Sequence, residues 1–175
     1  MKIVHIYHYL NVLSMKHQLL IPVLLVCLFA GCKSTKTIET KEVIDTYETG
    51  FTFDFIQKES LLDVVDKAAA ENKLVFVDIY TDWCLPCKIM EEEVFTNEKL
   101  GDFFNENFIS YKVNAEKANG PDLMVLYDVK AYPTLLFLDI KGRVLESKKG
   151  IAYSRELREM AKYAIDQNLQ NASTD

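Results

Sequence analysis

The chain has 175 residues, 49% hydrophobic and 26% charged, with 26 acidic side chains against 20 basic ones and a formal charge of −6. That balance argues against nucleic acid as a partner, because neutralising phosphates takes an excess of Lys and Arg. With the N-terminal leader and a polar linker set aside, about 125 residues remain, enough for one domain with its own core and too few for two.

The N-terminus reads first. Met15-Lys16-His17-Gln18 precedes an apolar run from Leu19 to Ala30, and Gly31-Cys32 follows. A basic start, about a dozen apolar residues and a small residue before the cut form a secretory signal over 1–31, too short to span a bilayer. Met15 is a candidate true start, and an uncleaved anchor is the alternative. Leu28-Phe29-Ala30-Gly31-Cys32 resembles the lipobox of bacterial lipoproteins, in which the cysteine becomes the acylated first residue; Phe29 departs from the usual Leu. The resemblance implies a chain lipid-anchored through Cys32 in a bacterial cell envelope, facing the periplasm. Residues 32–50 are then the lipidated cysteine and a polar tether, with a reach of roughly 20–25 Å if flexible.

Residues 51–170 form the expected folded body, with 171–175 as a tail. Ser60 caps a helical pattern through Ala70, and the apolar run Leu74–Tyr80 is the first strong strand. A helix is expected from Leu85 to Val94, with Pro86 in its first turn, where a missing N–H costs nothing. Thr96-Asn97 starts another helix through Phe104. Phe108–Val113 is the next strand, Pro121–Tyr127 a short helix and Thr134–Leu138 a further strand. Asp139-Ile140-Lys141-Gly142 turns into Arg143–Ser147 to make a hairpin, and Arg155–Leu169 is an amphipathic closing helix. This alternation predicts an α/β fold with a central mixed sheet, helices on both faces, and a C-terminal β-hairpin plus helix.

The chemistry concentrates at Trp83-Cys84-Leu85-Pro86-Cys87-Lys88, where a strand hands a dithiol to a helix start. Unpaired N–H groups and the positive end of the helix dipole stabilise a thiolate there. Such a thiolate attacks disulfides, and a second thiol one turn on is placed to resolve the mixed disulfide. A zinc site needs further Cys or His ligands, and haem attachment needs His after the second Cys, a place held by Lys88. The three histidines all precede residue 20, and the other cysteines are Cys27 and Cys32. An inert structural pair or an intermolecular metal site stays open as the alternative. The expectation is no metal and no cofactor beyond the redox-active pair.

Three separated motifs extend this reading: Val77-Asp78-Ile79-Tyr80-Thr81-Asp82-Trp83-Cys84-Leu85-Pro86-Cys87-Lys88, Tyr111-Lys112-Val113-Asn114, and Ala131-Tyr132-Pro133-Thr134-Leu135-Leu136-Phe137. Over about residues 58–168 the chain resembles the thioredoxin superfamily, and within it the C-terminal domains of DsbD-type thiol:disulfide interchange proteins. The resemblance implies a thioredoxin fold with Cys84 as nucleophile, Cys87 as resolving thiol, and Tyr132-Pro133 as a cis-proline loop facing them. It also places Asp78 beneath Cys87 as the base that takes its proton, with Lys112 beside that acid. Asp78 is the one charge in an apolar strand, an expensive placement for a carboxylate without a partner. Read as an isolated charge, it predicts that Asp78→Asn leaves stability level or raises it.

Trp83, Leu85, Pro86, Tyr132 and Pro133 are the expected substrate surface, and Glu91, Glu92 and Glu93 read as a solvated helix face. Asp78, Lys112 and the Cys-x-Pro-Cys favour a protein-disulfide reductase, recharged in an oxidising compartment by a membrane donor of the DsbD or CcdA type. A disulfide isomerase or oxidase, and a non-catalytic binding lipoprotein on the same scaffold, are the competing readings.

Overall fold

The computed structural model describes residues 50–173. The signal, Cys32 and the tether through residue 49 lie outside the described residues. Within them, no helix is long and apolar enough to cross a membrane.

The elements run β1 (Phe55–Ile56), α1 (Leu61–Glu71), β2 (Leu74–Tyr80), α2 (Leu85–Glu93), α3 (Glu98–Asn107), β3 (Phe108–Asn114), α4 (Gly120–Leu126), β4 (Thr134–Leu138), β5 (Val144–Lys149) and α5 (Ser154–Ala172). The strands form one mixed sheet in the order β1-β3-β2-β4-β5. β1 and β2 both pair in parallel with β3, whereas β4 runs antiparallel to β2 and to β5. The central strands β2 and β3 are buried almost throughout, as strands covered on both faces must be.

Successive side chains of a strand point to opposite faces, and each face has its own core. On one face Phe76, Phe108 and Phe137 pack with Met90 of α2 and Val94 just after it, Phe104 of α3 and Leu157, Ala161 and Ala164 of α5. On the other, Val75, Val77, Tyr111 and Leu136 meet Val64, Val65 and Ala68 of α1 and Leu123 of α4. The first core is rich in phenylalanine pairs at tilted or edge-on angles, such as Phe76–Phe104 at 4.9 Å and 71°.

Local chemistry accounts for the helix starts. Ser60 and Asp63 form a capping box on α1, and the Asn97 side chain accepts from Leu100 N–H at the start of α3. The 139–143 turn is organised by Asp139, whose carboxylate accepts from the Lys141 and Arg143 N–H groups and from Arg143 Nε.

Two differences from the sequence expectation stand out. β1 was not anticipated: two residues carry no periodicity, and the strand exists because Phe53 and Phe55 dock on the aromatic core. α3 runs to Asn107, past the expected Phe104, and passes straight into β3 without a loop.

Candidate active site

Cys84 is the N-cap of α2, and its Sγ accepts from the Cys87 N–H at 3.2 Å. The two cysteines are joined by a disulfide with their Cα atoms 5.3 Å apart, and both are buried. The flanking Trp83 and Leu85 are the opposite, 66% and 68% exposed. Pro86 is exposed in the first helical turn. The Tyr132–Pro133 peptide is cis. Trp83 meets Tyr132 edge to face at 5.8 Å, so β2, α2 and the loop before β4 bring an aromatic wall to the disulfide. On its far side, Tyr132 donates its hydroxyl to Met124 Sδ at 3.1 Å. Burial first, and then the Glu116 charge, holds the Tyr132 phenol above its ordinary pKa.

Beneath α2 lies a buried ionic chain. Asp78 and Lys112 stand directly opposite each other in the β2–β3 register, and Lys112 Nζ meets Asp78 Oδ2 at 2.6 Å. The same ammonium reaches Glu91 Oε1 at 3.0 Å and lies 3.9 Å from the centroid of the Tyr80 ring. Asp78 and Lys112 are 1% and 3% exposed, whereas the Glu91 side chain, at 28%, touches solvent. Burial alone would lower the pKa of Lys112, but the Asp78 and Glu91 carboxylates outweigh it and raise that pKa above the ordinary lysine value. Asp78 Oδ1 has no hydrogen-bond partner in the protein, leaving one lone-pair set of a buried carboxylate unengaged.

The solvated-face reading of the acidic run is corrected for Glu91 and holds for Glu92 and Glu93, which are exposed. The signal was present: Cys87 and Glu91 are four residues apart, so they share a helix face with buried Met90 and Val94. Glu116 was missed as well. Its Oε1 accepts from Trp83 Nε1 at 2.9 Å across thirty-three residues of sequence, and no local spacing announces that contact.

Among the described residues, no three His, Cys, Asp or Glu side chains are grouped to hold a metal ion. A disulfide whose first cysteine caps a helix, an aromatic wall beside it and a buried acid–lysine pair below are the apparatus of a thiol:disulfide exchange protein.

Comparison with known proteins agrees. Residues 58–135 match the Thioredox_DsbH family, described as a protein of unknown function, DUF255. The chain is 35% identical over 95 residues to Thioredoxin-T of Drosophila melanogaster, covering 54% of this chain and 57% of that protein. It is 32% identical over 85 residues to the thiol:disulfide interchange protein DsbD of Tatumella citrea, covering 48% of this chain but 15% of that much longer protein. The solution structure of a candidate disulphide-isomerase from Bacteroides thetaiotaomicron superposes with a TM-score of 0.59 at 36% identity, covering 66% of this chain and 94% of that one. The chain belongs to the thioredoxin-like, DsbD-related family of thiol:disulfide oxidoreductases.

Proposed function

We propose that this protein is a lipid-anchored, extracytoplasmic thiol:disulfide oxidoreductase that reduces disulfides in protein substrates. One observation carries the reading: a buried Asp78–Lys112 pair lies in the strands that feed and flank a Cys84–Cys87 disulfide set at a helix N-cap. In the reduced enzyme the Cys84 thiolate attacks a substrate disulfide, forms a mixed disulfide and expels one substrate thiolate. Asp78 then accepts the Cys87 proton, and the Cys87 thiolate attacks Cys84 Sγ. The second substrate thiolate leaves, two electrons have passed to the substrate, and the Cys84–Cys87 disulfide closes. Lys112 keeps the acid's charge compensated. Trp83, Leu85, Pro86, Tyr132 and Pro133 receive the substrate chain. A membrane dithiol donor of the DsbD or CcdA type would return the electrons, and acylation at Cys32 would hold the domain at the envelope.

The likeness to the Bacteroides protein favours isomerisation as the second reading. An equilibrium potential for the Cys84–Cys87 pair against glutathione separates the two. A value well below −200 mV, toward the roughly −270 mV of thioredoxins, supports the reductase, and one above about −180 mV overturns it. Trapping with Cys87→Ser then identifies the protein held on Cys84.

A further inference from the structure

We infer that Lys149 is a specificity-determining residue, an exposed cation at the rim of the exchange site that selects polypeptides carrying an acidic side chain beside the reacting disulfide. The inference rests on the exchange reading above and names the substrate class of that site.

The end of β5 brings Lys149 there. Lys149 pairs with Thr134 in the antiparallel β4–β5 register, one residue past the cis Pro133, and the Gly150 N–H donates to the Pro133 carbonyl at 2.7 Å. Residues directly opposed in an antiparallel pair lie about 4.5–5.5 Å apart at Cα and share a face of the sheet. Thr134 marks that face, because its hydroxyl donates to the Ala131 carbonyl at 2.7 Å, within the loop that carries Tyr132 and Pro133. Lys148 points the opposite way and bonds Glu156 of α5 at 2.7 Å.

The charges around this loop do not balance. Asp128 bonds Lys130 at 2.9 Å, and Lys149 acts on the same carboxylate at longer range, so that Lys130 first and Lys149 after it hold its pKa below the ordinary aspartate value. Two cations thus share one carboxylate on the β5 side of the loop. On the opposite flank, Glu116 is bonded to Trp83 and its charge reaches Tyr132. The aromatic wall therefore has a negative side at Trp83 and a positive side at β5. Salt screens exposed charges beyond about 8 Å at physiological ionic strength, so a substrate side chain over β5 meets this local excess rather than the formal −6 of the chain. An acidic side chain is attracted there and a basic one repelled.

The test measures kcat/KM on the full chain for two cystine-bridged octapeptides that differ only in having Glu or Lys beside each half-cystine. Wild type, Lys149→Gln, Lys149→Glu and Lys67→Glu are compared. Each enzyme meets both peptides, so any loss of folded protein cancels in their ratio. Lys67 is exposed and lies beside Phe108 and Ile109, where β3 begins, at the end of the sheet away from the disulfide. Its reversal changes the net charge by the same amount as Lys149→Glu. At low salt, wild type is expected to favour the Glu peptide by about two- to fivefold, the upper range of one exposed ion pair. Lys149→Gln should bring the ratio toward one and Lys149→Glu should invert it, whereas Lys67→Glu should keep the wild-type ratio. Salt near about 1 M should flatten the wild-type preference. A wild type that favours the Lys peptide overturns the inference, as does an unchanged ratio in Lys149→Glu, an equal shift in Lys67→Glu, or a preference that survives high salt. Activity on 2-hydroxyethyl disulfide without the expected ratios sinks this inference and keeps the exchange reading. Wild-type inertness towards both peptides and the small disulfide defeats the exchange reading, and the inference falls with it.

Discussion

Lys112 stands directly opposite Asp78 across the parallel β2–β3 register, its ammonium 2.6 Å from the carboxylate, with both side chains almost wholly buried. This pairing reverses one expectation drawn from the sequence. An isolated buried carboxylate is a cost that Asn would relieve, whereas a paired one is the counter-charge of a buried cation.

Asp78→Asn is therefore expected to lower stability. The loss should fall below the roughly 3–5 kcal/mol of a buried charge left without a partner, because Glu91 still holds Lys112. The urea midpoint measures it. In rapid-quench mass spectrometry of a single turnover, mixed disulfide should accumulate, since general-base help is worth about 10²–10⁴-fold in rate. Resolution as fast as wild type across pH 6–8 would leave Asp78 a structural role only.

Lys112→Met removes the cation and leaves the Asp78 carboxylate alone in an apolar strand. The expected destabilisation is about 3–5 kcal/mol, read as a lower urea midpoint at unchanged slope. The raised pKa of Lys112 gives a second signature. In the unfolded chain lysine loses its proton near its ordinary value of 10.5, while the folded protein retains it, so stability is complete below that pH and falls as pH rises beyond it. Tyr111 and Tyr127, held above 10.0 mainly by burial, act in the same direction. Unfolding at pH 9 and pH 11 should therefore show a smaller decline in Lys112→Met than in wild type.

Gly120→Ala drives a methyl group into the Asn114 carbonyl, a backbone atom that cannot rotate aside. The expected cost is about 1–3 kcal/mol, seen as a drop in Tm by calorimetry. A melting temperature equal to wild type would mean that the loop relaxes without penalty.

Asp139 concentrates three donors on one buried carboxylate. Burial opposes its charge, but the Arg143 and Lys141 donors prevail and hold its pKa below the ordinary 3.8 of an aspartate. Its contribution is present above that pH and is lost as pH falls through the lower folded value. Asp139→Ala should cost about 2 kcal/mol at pH 7 and less in acid, by urea titration at the two pH values.

Much of this architecture was legible in the residues themselves. Thr134–Leu138 is a strand over the predicted span, and Asn97 caps α3 because its side chain competes for a free N–H, a rule that acts within three residues. β1, Glu91 and Glu116 were harder to see for a common reason. Each is defined by something distant: β1 by β3, Glu91 by Lys112, Glu116 by Trp83. Periodicity reports which face of an element is buried, and cannot report which residue of another element awaits it there.

The segment before β1 carries a consequence for the order in which the chain assembles. Thr52 bonds Phe95 and Asn97, and Asn105 bonds Thr52 and Asp54, contacts that span 43 to 53 residues. β1 then pairs with Ser110 and Tyr111. When the polypeptide emerges N-terminus first, Phe51, Phe53 and Phe55 leave the ribosome before Phe76, Phe95 and Phe104, the rings they pack against, and before the β3 strand that β1 pairs with. Long loop closure is slow, and exposed aromatic segments attract one another meanwhile. The first folded residues of this domain are thus among the last to find their places, and a carrier that shields them during synthesis would protect the protein at its most adhesive moment.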